Sequence, residues 1–131
     1  MADPLHVSAL LASPRDLQRL QGVHPTLIGI ILAILKQLPM FVTAGVRTAE
    51  EQHVLWLQTP PVTHCDGYIH KSNHHPHSDG LGHAVDCAWL GNDPFGLSHD
   101  WAAYGAAVEA AGLVWGGRFS TLVDRPHAEL P

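Results

Sequence analysis

The sequence predicts an α+β domain in which a small antiparallel sheet carries helices packed against one side. Three observations point there. Helical patterns come first along the chain, and short apolar strands interleaved with one further helix come after. Between them His83–Leu90, HAVDCAWL, alternates as a strand with one buried face does. The 131 residues are read as a single domain, 1–131, long enough to bury roughly two thirds of the unfolded surface without a disulfide or a metal to hold it. A composition 46% hydrophobic and 15% charged belongs to a globular chain.

The elements follow in order. SPRDLQRL is a short helix: the Ser13 hydroxyl can cap free N–H groups, and the fixed φ of Pro14 suits the first helical position. HPTLIGIILAILKQL is a second, buried helix with Pro25 near its start and Pro39 ending it. MFVTAG is a short strand turning at Gly45. Thr48 and Glu51 stand at capping-box spacing, so TAEEQHVLWLQ begins a helix. From Thr59 to Gly82, Pro, Gly, Asn and Asp break regular structure, leaving a loop with a short strand near Tyr68. In the strand that follows, His83, Val85, Cys87 and Trp89 share one face and Ala84, Asp86 and Ala88 the other. GNDPFG turns, and SHDWAAYGAAVEAAG is a helix with Ser98 as cap and Gly112 as stop. LVW and RPHAELP are the last short strands.

Several function classes are disfavoured. The net charge is −5 with histidines neutral, and the seven Lys and Arg are scattered; a nucleic-acid partner needs clustered cations. TLIGIILAILKQL is shorter than the ~20 apolar residues that span a bilayer, so no membrane insertion is expected. MADPLHVSALLASPRDLQ lacks the basic start and long apolar run of a signal peptide, which predicts a product made soluble in a cytoplasm. Cys65 and Cys87 are too few for a disulfide scaffold, and whether they are bonded stays open.

Chemistry concentrates in KSNHHPHSDGLGHAVDC, Lys71–Cys87, where four histidines and two aspartates crowd together. Zinc takes imidazole, carboxylate or thiolate ligands in a tetrahedron, and a catalytic site keeps three protein ligands. Asp86 sits between Ala84 and Ala88, small neighbours that leave room for an ion and a substrate. His83 points the other way on a regular strand and should not share its metal. DRPHAEL is a second cluster. There His127 and Glu129 share a strand face, and Asp124 stands three residues before His127. A carboxylate so placed can serve as a general base beside a Lewis acid without being a ligand.

KSNHHPHSDGLGHAVD resembles the Ser-x-His…Gly-x-Ala-x-Asp signature of the zinc peptidases that include VanY-type D-Ala-D-Ala carboxypeptidases and phage L-alanyl-D-glutamate endopeptidases. TAGVRTAEEQ is similar to that family's Ser/Thr-x-Gly-x-Arg-Thr segment. WGGRF and DRPHAEL resemble its closing Trp-Gly-Gly and Asp-x-Pro-His-x-Glu, so the matches run from Thr43 to Leu130. The resemblance implies a hedgehog/DD-peptidase-like fold and a Zn2+ ion held by His74, Asp86 and His127. It also implies Asp124 as the catalytic base and Arg47 as a contact to substrate or the developing oxyanion. The implied substrate is the peptidoglycan stem peptide, cut at L-Ala-D-Glu by a monomeric phage endolysin made in the host cytoplasm and acting on the wall in the periplasm. Three features depart from the pattern: the inserted HPHSDGLG, Ala128 where an aromatic is common, and Arg118 where Asp often follows the paired glycines.

Other residues have plainer readings. His75 and His77 are most simply solvated, and His64 and His70 are loop residues. Glu129 is either a partner behind the metal, a substrate contact or a surface carboxylate, and the plainer reading of Arg47, as a turn cap or the partner of an acid, ranks below its functional one. Cys87, Trp56, Trp89 and Trp101 read as core, and Trp115 as a cleft residue. Two rival functions remain. A D-Ala-D-Ala carboxypeptidase would need a cation for the free carboxylate, with Lys71, Arg118 and Arg125 as the candidates. A non-catalytic zinc- or wall-binding domain would have no use for Asp124.

Overall fold

The computed structural model describes residues 12–57 and 72–131. In chain order these form α1 (Pro14–Arg19), α2 (Pro25–Leu35), β1 (Met40–Ala44), α3 (Ala49–Trp56), β2 (Ala84–Trp89), α4 (Trp101–Ala110), β3 (Val114–Trp115), a 3-10 turn at Gly116–Arg118 and β4 (His127–Glu129). The strands make one antiparallel sheet in the order β1-β2-β4-β3, and the domain is α+β, as the pattern of elements predicts. His64, Cys65, His70, Lys71, the strand expected near Tyr68 and the side chain of Trp56 lie outside the described residues. Among the described residues no helix is long and apolar enough to cross a membrane.

Local chemistry accounts for the helix starts. Ser13 Oγ accepts from the Asp16 amide at 3.1 Å and caps α1. At α3 the capping box closes both ways: the Thr48 amide donates to Glu51 Oε1 at 3.3 Å, and the Glu51 amide donates to Thr48 Oγ1 at 3.1 Å. The cap of α4 is Asp100, whose Oδ1 accepts from the Ala103 amide at 3.1 Å, and not Ser98. The reason is His99. Its Nε2 donates to the Asp93 carbonyl at 2.8 Å and its ring stacks on Trp89, which keeps the chain in the preceding loop for two residues longer.

The alternation of β2 sets the two faces of the sheet. Val85 and Cys87 join Leu27 and Ile31 of α2, Tyr104 and Val108 of α4, Val42 of β1 and Ala128 of β4 in the core. Burial keeps the Cys87 thiol protonated far above its usual range. The opposite face carries Asp86, which pairs directly with His127 of β4, while Ala84 pairs with Glu129. At the outer edge of the sheet, α1 covers β1. Asp16 Oδ1 accepts from the Val42 amide at 2.9 Å, and Arg19 Nη1 donates to the Val42 carbonyl at 2.8 Å. An edge strand otherwise leaves such groups unpaired.

Candidate metal centre

Three side chains from two distant stretches of sequence meet on the face of the sheet away from the core. The pairing of β2 with β4 puts Asp86 and His127 opposite each other. His74 arrives from the loop before β2. Ser72 Oγ accepts from the His74 amide at 3.1 Å, the Arg47 amide donates to the His74 carbonyl at 2.9 Å, and the His83 amide donates to the Asn73 carbonyl at 2.9 Å. These bonds hold the loop against β1 and β2.

His74 Nε2, His127 Nδ1 and Asp86 Oδ1 form a nearly equilateral triangle. The two nitrogens are 3.2 Å apart, and each stands 3.3 Å from the oxygen. Among the described residues this is the group of three or more that could hold a metal ion. Zinc bonds of about 2.0–2.1 Å put tetrahedral ligand atoms roughly 3.3–3.4 Å apart, so the triangle has the dimensions of one face of a zinc tetrahedron.

Proton placement agrees with this. His74 Nδ1 donates to the Gly45 carbonyl at 2.8 Å, and His127 Nε2 donates to Glu129 Oε1 at 2.7 Å. Carbonyl and carboxylate oxygens only accept, so both outward nitrogens carry the proton and a neutral ring turns a bare lone pair inward. Asp86 Oδ1 is shielded from solvent and completes no hydrogen bond. Three lone pairs thus face one point, which requires a positive charge between them. Each imidazole also has the backing partner that metal-bound histidines have. The residues present fit a divalent cation.

In the cation's absence protons take that part. Burial opposes protonation of His127, but Asp86 and Glu129 outweigh it and push the ring up to about 10. Burial also opposes the charge on Asp86, and the facing His74 and His127 rings more than offset this, holding the carboxyl well below the usual range. A cation entering the triangle must displace the proton on His127 Nδ1.

Around the triangle stand two further charged groups. Arg47 Nη2 donates to Asp86 Oδ2 at 3.3 Å, leaving Oδ1 to the triangle. Asp124 Oδ2 lies 3.9 Å from His127 Nδ1, beside the triangle without belonging to it. Burial, and then the charge of Asp86, push the Asp124 carboxyl up to about 6. The turn that carries Asp124 is braced from four directions. Its amide donates to the Gly116 carbonyl at 2.9 Å, Trp115 Nε1 donates to the Arg125 carbonyl at 2.8 Å, and the Pro126 carbonyl accepts from Tyr104 at 2.9 Å and from the Cys87 amide at 3.0 Å. Trp115, read from sequence as a cleft residue, is such a brace.

The remaining histidines separate from the triangle. His75 is buried and not solvated. His77 is exposed and its ring stacks on His83 at 3.8 Å, while His83 Nε2 pairs with Asp79 at 2.8 Å. Glu129, left open by the sequence, is committed to His127. Its signals in the sequence were its place two residues along the same strand face and its match to the closing Glu of Asp-x-Pro-His-x-Glu.

No family model and no curated protein matches the chain. Among solved structures it is similar to the L-Ala D-Glu endopeptidase ChiX of Serratia marcescens, with 28% sequence identity and a TM-score of 0.65 over 92% of this chain and 89% of that one. The triangle of His74, Asp86 and His127 therefore sits in a chain built on the fold of that endopeptidase.

Proposed function

We propose that the chain is a zinc-dependent peptidase that cuts the L-alanyl-D-glutamate bond of the peptidoglycan stem peptide. The convergence of His74 Nε2, Asp86 Oδ1 and His127 Nδ1 at 3.2–3.3 Å carries the reading. The similarity to an L-Ala D-Glu endopeptidase supports the choice of bond. A bound divalent cation supplies a Lewis acid that polarises the scissile carbonyl and acidifies water.

The chain's own residues do the rest. Asp124 Oδ2, beside the triangle, takes the proton of the attacking water as its oxygen bonds to the carbonyl carbon. The same carboxyl hands that proton to the amine nitrogen as the C–N bond breaks. Burial raises this carboxyl above the ordinary carboxylate range, which favours its holding the proton until the amine takes it. Arg47, beside Asp86, places a fixed positive charge next to the site, where negative charge grows on the carbonyl oxygen. In the same reading the protein serves as a phage endolysin acting on the wall in the periplasm, which the sequence resemblance supports.

Purified sacculi digested with the zinc-loaded protein, and the fragments read by mass spectrometry, test this. New L-alanine carboxyl and D-glutamate amino ends are expected, lost on chelation and restored by zinc. Released D-alanine would point instead to a carboxypeptidase, and intact sacculi to a binding domain.

A further inference from the structure

We propose that Asn73 and Glu129 form a positioning pair that sets the orientation of His127 and ties together the two segments supplying the metal ligands. The inference rests on the metal reading above and adds to it two residues that do not touch the reacting atoms. Glu129 divides its carboxylate. Oε1 accepts from His127 Nε2 at 2.7 Å, and Oε2 accepts a short hydrogen bond from Asn73 Nδ2. The Glu129 side chain is largely buried, with 17% of its surface exposed, and it lies behind the imidazole, on the side away from the triangle. It therefore positions and does not catalyse.

Asn73 is the residue next to His74, so the chain of contacts runs from one ligand segment through Asn73 and Glu129 to the other ligand, His127. Backbone bonds run parallel to it. Asn73 O accepts from the His83 amide, and Ala84 pairs with Glu129 across β2 and β4. The amide fixes which way the carboxylate faces, the carboxylate holds the proton on Nε2, and Nδ1 is left bare toward the metal. Among the described residues neither side chain makes a further hydrogen bond beyond these two.

Zinc affinity, measured by competition with a chromophoric chelator, tests the pair in the full-length chain. Glu129→Ala is expected to weaken binding on the order of 10–100-fold. Asn73→Ala acts only through Glu129 and should weaken it less, on the order of threefold to tenfold. The double variant should then bind about as Glu129→Ala does, because the two side chains act in series. Glu129→Gln keeps an oxygen for His127 Nε2 and should recover most of the loss. Thermal midpoints in excess chelator separate any loss of folding from loss of affinity. A lowered midpoint for Glu129→Ala passes the decision to Asn73→Ala and Glu129→Gln, whose affinities must still follow the stated order. Wild-type affinity in both alanine variants, with binding lost in His74→Ala, overturns the pair and leaves the metal site standing. A wild-type chain that binds zinc no better than His74→Ala overturns both.

Discussion

Gly116→Ala probes how closely the site depends on the turn behind it. Gly116 is buried, and a Cβ there would lie 2.2 Å from the Asp124 carbonyl oxygen and 2.7 Å from His127 Cβ. Ordinary carbon contacts begin near 3.5 Å, so something must move by about 1 Å. The nearest atom is backbone and cannot swing aside. Asp124 also bonds Gly116 through its amide at 2.9 Å, and its carbonyl accepts from the His127 amide at 3.2 Å. The displacement therefore reaches both Asp124, the proposed base, and His127, a proposed metal ligand. Overpacking of this kind costs about 1–3 kcal/mol of stability, and misplacing reacting groups by about 1 Å costs about 100-fold in rate. The assay is turbidity loss of purified sacculi, alongside a zinc titration and a thermal melt. Gly91→Ala is the control. It sits at φ +96° with nothing near the added carbon, so it should cost about 1 kcal/mol through backbone strain and leave the rate alone. A folded Gly116→Ala protein working within threefold of wild type would refute the claim that this contact holds the base in place.

Three further substitutions and profiles extend the test. Asp124→Asn should keep zinc affinity and lose about 10²–10⁴-fold in turnover on sacculi, as removal of a general base does; retained turnover would remove Asp124 from that role. The raised Asp124 carboxyl means the base is protonated below its pKa, so kcat/KM should fall about tenfold per pH unit on the acid side. The midpoint should lie at or below about 6, since a bound cation adds positive charge that lowers it further. An acid limb that persists in Asp124→Asn would assign the titration to another group. Asp16→Ala leaves the Val42 amide without its partner in the α1–β1 interface and should cost about 1–3 kcal/mol in chemical denaturation; an unchanged midpoint would show that water replaces the carboxylate there.

The sequence made visible what depends on short range. The HAVDCAWL alternation separates Asp86 from Val85 and Cys87, and the structure keeps that separation in Ala84–Trp89. Ser13 and the Thr48–Glu51 box cap helices because those contacts span three residues. The cap of α4 was misplaced because His99 is held by Asp93 and Trp89, a loop contact no local pattern encodes. Composition alone could not sort the histidines, and motif resemblance was what singled out His74. The Gly45 carbonyl behind His74 and the Asn73 amide behind Glu129 were invisible for a different reason. Gly45 and Asn73 reach the site only once α1, β1 and the loop before β2 have packed, and a backbone carbonyl has no signature in a sequence.

The two imidazoles present different nitrogens to the triangle, and the sheet explains why. Directly opposite residues on paired strands have Cβ atoms about 4.5–5.5 Å apart, so His127 needs only its near nitrogen, Nδ1, to come within 3.3 Å of Asp86 Oδ1. Its far nitrogen then points away from the triangle, where the residue two positions along the same face is Glu129. His74 comes in from the loop and uses its far nitrogen, which leaves Nδ1 close to the backbone, where it finds the Gly45 carbonyl. The choice of nitrogen thus decides whether a ligand is backed by a side chain or by the main chain. Glu129 can be removed by substitution, and the Gly45 carbonyl cannot. On the His74 side the sensitive feature is instead the absence of a side chain at Gly45, where a Cβ would stand 2.1 Å from the Arg19 carbonyl and force α1 away from β1. Loosening His74 therefore means displacing a helix, whereas loosening His127 takes a single carboxylate.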